Sequence, residues 1–129
     1  MTKTILIALP LVILNACAPD ETVSGYAAQD TTYHLVEIDG TTVGPATLTF
    51  PQEGRISGRA ACNSYFAVQT LPYPWFNVEA IGATRMACSD LAAEVAFFEA
   101  LRTMTLAEVT DTVLILSTED GRQMVFEAR

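Results

Sequence analysis

A chain of 129 residues, half of them hydrophobic, is long enough for one packed domain and too short for two. With 17% charged residues and a mean hydropathy of +0.30, its composition excludes disorder throughout. Fifteen carboxylates against seven cations give a net charge of -8, which repels nucleic-acid phosphates, and a single histidine removes most metal and general-base arrangements.

The amino-terminal end reads as a processing signal. Lys3 precedes an apolar run over 4–14, far short of the roughly 20 residues of a spanning helix but matched to a signal-peptide core. Leu14-Asn15-Ala16-Cys17 resembles the bacterial lipobox, which implies that residues 1–16 are removed and that Cys17 becomes an acylated terminus. The other reading is an ordinary secretory signal cut near Ala18. More than one acyl chain makes anchoring stable. By resemblance to the sorting rules of enteric bacteria, Ala18 after the cysteine implies transfer to the outer membrane, with the domain facing the periplasm. From Cys17 onward six arginines face all fifteen carboxylates, a net charge of -9. Residues 17–32 read as this acylated terminus and a flexible polar tether, which would let the domain at 33–129 stand up to about 50 Å from the membrane.

The domain reads mainly as short strands. Residues 33–38 (YHLVEI) lead to the turn Asp39-Gly40, and 46–50 (ATLTF) alternates with Leu48 and Phe50 on one face. Strands are also expected over 55–59 and 64–69. The segment Leu71-Pro72-Tyr73-Pro74-Trp75-Phe76 is expected as a loop or edge, because its prolines cannot donate to a ladder. Alternation resumes over 76–81. One helix is expected near 90–104, with Ser89 as N-cap, Leu91, Val95 and Phe98 facing the core and Glu94 and Glu99 facing solvent. Residues 107–109 and a terminal hairpin of 113–117 and 123–128 across Asp120-Gly121 complete the chain. The pattern predicts a small antiparallel sandwich or barrel whose single helix covers a face or plugs an opening.

Two segments carry a resemblance. Gly54-Arg55-Ile56-Ser57-Gly58-Arg59 leads to Cys62-Asn63-Ser64-Tyr65, and Thr84-Arg85-Met86-Ala87-Cys88 leads into the helix. In this order, with Tyr33-His34-Leu35 and Ile38-Asp39-Gly40 ahead of them, they resemble the META domain of the heat-shock lipoprotein HslJ family. The motif positions are Gly54, Arg55, Gly58, Asn63, Tyr65, Thr84 and Met86; Tyr33 stands where that family often has tryptophan, and Ala61 where it often has glycine. The resemblance implies a β-barrel-like fold of lipocalin-type topology with one helix, no established enzymatic activity and an association with envelope stress.

With Cys17 assigned to lipid, Cys62 and Cys88 remain as an even pair in an oxidising compartment, either bridged or present as two buried thiols. A nucleophilic Cys62 with His34 as base, or a zinc site of Cys62, Cys88 and His34, lacks the local signature either would need. Asn63 reads as a turn residue and Arg85 as an ion-pairing one. Tyr73, Trp75 and Phe76 either contact a partner or close one end of the core. No catalytic, metal or cofactor residue is expected. The chain reads as a non-enzymatic envelope lipoprotein that contacts another envelope protein, or alternatively as a carrier or sensor of a small apolar ligand such as a lipid.

Overall fold

The computed structural model describes residues 12–14 and 16–129. Alternating side chains set the larger sheet, formed by β1 (Tyr33–Ile38), β2 (Thr47–Leu48), β6 (Leu106–Val109), β7 (Val113–Ser117) and β8 (Gln123–Ala128) in the order β2-β1-β8-β7-β6. In the terminal hairpin Leu114 lies opposite Phe126 and Leu116 opposite Met124, and all four are fully buried. A strand reverses side-chain direction at every residue, so this register puts both apolar pairs on one face. The smaller sheet is β3 (Arg55–Arg59), β4 (Ser64–Val68) and β5 (Glu79–Ala83), in that order.

Two short contacts join the sheets into a barrel-like wrap that is not fully closed. Thr49 and Ser57 exchange backbone hydrogen bonds of 2.7 and 3.1 Å. Beside β6, the Phe76 N–H donates to the Thr105 carbonyl at 2.9 Å and the Ala107 N–H to the Pro74 carbonyl at 2.8 Å. The first junction depends on Gly58: a Cβ there would lie 2.1 Å from the Thr47 carbonyl oxygen, which also accepts the Tyr65 hydroxyl at 2.6 Å. Between the sheets, Tyr33, Phe76, Phe97, Phe126, Leu101, Met104 and Met124 are all at most 1% exposed.

The long helix, α2 (Leu91–Thr103), is turned about its axis from the expected face. Leu91 and Val95 are 45% and 49% exposed, whereas Glu94, Phe97, Ala100 and Leu101 are buried. The buried set lies one residue back from Leu91, Val95 and Phe98, a rotation of up to about 100°, although Phe98 still packs half-buried against the core as expected. Apolarity alone would choose Leu91 and Val95, but loop N–H groups below the helix need an acceptor, and Glu94 supplies it. The N-cap is Asp90, not Ser89, and its side chain makes no capping bond.

Two other segments differ from expectation. The strand expected over 76–81 begins at Glu79, because Phe76 and Val78 turn into the core and Ala80 takes a left-handed conformation (φ 50°) where the register with β4 shifts. Residues 20–28, within the stretch read as a tether, dock on the domain. The short helix α1 (Val23–Tyr26) buries Val23 completely, the Tyr73 N–H donates to the Glu21 carbonyl at 2.7 Å, and the Ala28 N–H to the Tyr33 hydroxyl at 3.0 Å. A valine inside an otherwise polar run is what fixes it, since burying one stabilises by about 1.5–3 kcal/mol. Most of the expected signal, 1–11 and Asn15, lies outside the described residues; among the described residues no helix is long and apolar enough to cross a membrane.

Candidate functional site

The two motif segments meet at the amino-terminal end of α2. Glu94 Oε1 accepts the backbone N–H groups of Cys62 (3.1 Å) and Asn63 (2.7 Å), and its Oε2 accepts the Asn63 side-chain amide at 2.6 Å. The same amide donates to the Met86 carbonyl at 3.1 Å, while Asn63 Oδ1 accepts the Met86 N–H (2.6 Å) and the Thr84 hydroxyl (2.9 Å). Thr84 Oγ1 in turn accepts the Ser64 N–H at 3.2 Å. Cys62 and Cys88 are joined by a disulfide with Cα atoms 5.8 Å apart. Three connections, the loop before β4, the 84–88 segment and the helix, are thereby tied together.

Burial alone would raise the Glu94 pKa. The Asn63 amide and the N–H groups of Asn63 and Cys62 outweigh it and hold the carboxyl below the ordinary glutamate value, so at neutral pH it is a carboxylate. The Tyr65 phenol is pushed far up by burial and stays a donor to Thr47. Its ring packs edge-on to Phe97 and Phe98 at 5.5 and 5.4 Å, which ties the helix to β4. No buried side-chain polar atom among the described residues lacks a partner.

The polar side-chain atoms of Asn63 and Glu94 are all taken up in holding the loops to the helix. Cys62, as half of a disulfide, offers no thiolate, and His34 lies in β1 opposite Thr47 and Glu127. Among the described residues no group of three or more His, Cys, Asp or Glu side chains is placed to hold a metal. Asn63, expected to steady a local turn, instead clasps residues more than twenty positions away. Arg85, expected to pair with an acid, is exposed and makes no salt bridge among the described residues. Gly54 serves the turn into β3 at φ 71°, Arg55 is exposed on that strand, and Met86 contributes its backbone to Asn63 while its side chain is 60% exposed.

Sequence reasoning missed Glu94, yet a signal existed. Positions 94, 97, 101 and 104 follow helical spacing, so Glu94 shares a stripe with Phe97, Leu101 and Met104, all buried. A carboxylate inside an apolar stripe needs donors, and the Cys62-Asn63 loop provides them.

The aromatic loop divides. Phe76 is 1% exposed in the core and so is not a surface contact; Tyr73 is half-buried beneath Tyr26, their rings stacked at 4.3 Å; Trp75 is 51% exposed. One surface cleft, of about 140 Å³, is lined by Asp20, Asp30, Glu53 and neighbours. Cys17 is exposed, with a free thiol.

A barrel-like two-sheet domain, its one long helix pinned by a buried carboxylate and a disulfide, defines the class. The META domain model matches residues 27–129, and the chain belongs to the META domain family. No curated relative matches it. Among solved structures it is similar to an NMR structure of a protein from Burkholderia xenovorans, with a TM-score of 0.62 and 23% identity over 95% of this chain and 99% of that one. A crystal structure of a DUF4847 family protein from Bacteroides vulgatus is similar with a TM-score of 0.57 and 16% identity, over 75% and 90% of the two chains. At those identities the likeness shows the fold alone.

Proposed function

We propose that the chain is a non-enzymatic envelope lipoprotein, held in the outer membrane by acyl chains on Cys17, whose META domain contacts another envelope protein in envelope stress or homeostasis. The observation that carries this reading is the outer face of the small sheet. Phe66, 61% exposed, lies over Gly82, where an added Cβ would come within 2.4 Å of its ring. Arg55 and Arg59 project on the same face of β3, two of six arginines in a strongly acidic chain, and neither forms a salt bridge among the described residues. An uncovered ring flanked by guanidinium groups that have no carboxylate partner among the described residues suits a partner with an apolar centre and an acidic rim.

The alternative, a carrier of a small apolar ligand, draws no support from an interior occupied by Tyr33, Phe76, Phe97 and Phe126. A photo-crosslinker at position 66 in intact envelopes is expected to trap one discrete protein, and Phe66→Asp with Arg59→Glu to abolish contact at an unchanged melting temperature. Crosslinks no more discrete than those from exposed Glu119 would refute the surface, and a lipid released on denaturing the purified domain would favour the carrier.

A further inference from the structure

Three exposed apolar side chains collect where the amino-terminal segment meets the domain: Leu71 (41% exposed), Trp75 (51%) and Tyr26 (54%). The Gln69 side-chain amide draws the loop together, donating to the Leu71 carbonyl at 3.1 Å and the Trp75 carbonyl at 3.2 Å, and Tyr26 joins through its stack on Tyr73. Such rings, apolar in body and polar at one end, gain most where a surface is half wet.

The same loop holds the chain that leads to Cys17. The Tyr73 N–H bonds the Glu21 carbonyl, Thr22 bridges to Pro72, and Ala18 and Pro19 share a cleft with Thr70 and Pro72. Cys17 is therefore four residues from a fixed point, a reach of about 14 Å at full extension in place of the roughly 50 Å of a free tether. Acyl chains on Cys17 would bring the loop within that distance of the lipid surface. We infer that Leu71, Trp75 and Tyr26 rest in the interfacial layer of the same bilayer that the Cys17 acyl chains enter, as a second contact that fixes how the domain stands on the membrane. This rests on the reading of Cys17 as an acylated terminus. Charge selects the lipid: Glu21 and Glu53 line the cleft beside Pro72 and Asp111 the one beside Tyr26, against Arg55 on the neighbouring strand, so the surface suits zwitterionic headgroups and disfavours anionic ones.

Trp75 is the only tryptophan and reports its own surroundings. The mature chain purified from membranes is reconstituted in phosphatidylcholine vesicles, and in parallel the unacylated chain from residue 17 is coupled through the Cys17 thiol to a maleimide lipid in the same vesicles. In both preparations Trp75 emission is expected to shift to the blue on membrane attachment, to lose access to acrylamide and to be quenched by lipids brominated on their acyl chains. Leu71→Asp is expected to abolish the shift while leaving the solution spectrum and melting temperature unchanged, and phosphatidylglycerol vesicles to give a smaller shift. Absence of acyl mass on the purified chain would refute the lipoprotein reading, and a shift in the coupled chain would then still support the docking geometry. Solvent-like Trp75 emission without bromolipid quenching in attached protein of both preparations would overturn the inference, and a larger shift with phosphatidylglycerol would overturn the assignment to neutral lipid.

Discussion

The corner built on Asn63 and Glu94 and the loop from Leu71 to Phe76 make opposite uses of suggestive residues. The corner holds what a search for chemistry would collect: two cysteines, a carboxylate, an asparagine, a threonine and a methionine. Every polar atom of Asn63 and Glu94 there is engaged in holding loops to a helix. The loop holds what a search for core would collect, and two of its large apolar side chains, Leu71 and Trp75, face solvent. A buried carboxylate is tolerated only when its lone pairs are filled. An exposed ring still has surface to bury, and the loop and the Phe66 face each carry one.

The sharpest way to break that contrast is at the corner. Glu94→Ala removes the acceptor of three buried donors and is expected to cost about 3–5 kcal/mol, read from urea unfolding at pH 7. A loss under about 1 kcal/mol would show the clamp to be incidental. The carboxylate also fixes a pH dependence. Its folded value is depressed, so its contribution is complete above the unfolded glutamate value of 4.5 and is lost as pH falls through the lower folded value. Unfolding curves from pH 7 to 3 should decline below that point in the wild type and decline less in Glu94→Gln.

The disulfide supports the same corner from outside. Replacing Cys62 and Cys88 together by serine opens a loop with a sequence separation of 26 and is expected to cost about 3–4 kcal/mol by chain entropy, while intact mass with and without reductant should differ by two hydrogen atoms in the wild type. Next in size is Gly58→Ala, at about 1–3 kcal/mol: its new Cβ must push away the Thr47 carbonyl, a backbone atom, and with it the junction of the two sheets. Thermal melts check it, with the expectation that Gly40→Ala, which meets no atom within 4 Å but sits at φ 76°, costs less than the clash at Gly58.

The contrast also explains what the sequence made legible. Leu114, Leu116, Met124 and Phe126 alternate with half-buried or exposed residues, so the terminal hairpin could be placed to the residue from its pattern. Glu94 could not, because local hydropathy sees only that a glutamate is polar; the donors that permit its burial come from thirty residues upstream. The docking of Val23 is hidden for the same reason, its cover being assembled from the distant 71–76 loop and β6. Gly58 was visible as a motif residue, but its cause, the approach of Thr47, exists only once two strands from different sheets meet.

The smallest expected effect tests the loop itself. Trp75 shares a backbone pairing with Leu106 and lends its carbonyl to Gln69, and both interactions survive truncation of the side chain. Half the residue is already in water, so Trp75→Ala should lower the melting temperature by only a few degrees, corresponding to under about 1 kcal/mol. Phe76→Ala, one position on and 1% exposed, should cost about 3–5 kcal/mol by the cavity it leaves. Equal losses at the two positions would mean that the indole is packed against the domain in solution, and Trp75 would then belong with the corner as structure, not with the surface that is free to meet something else.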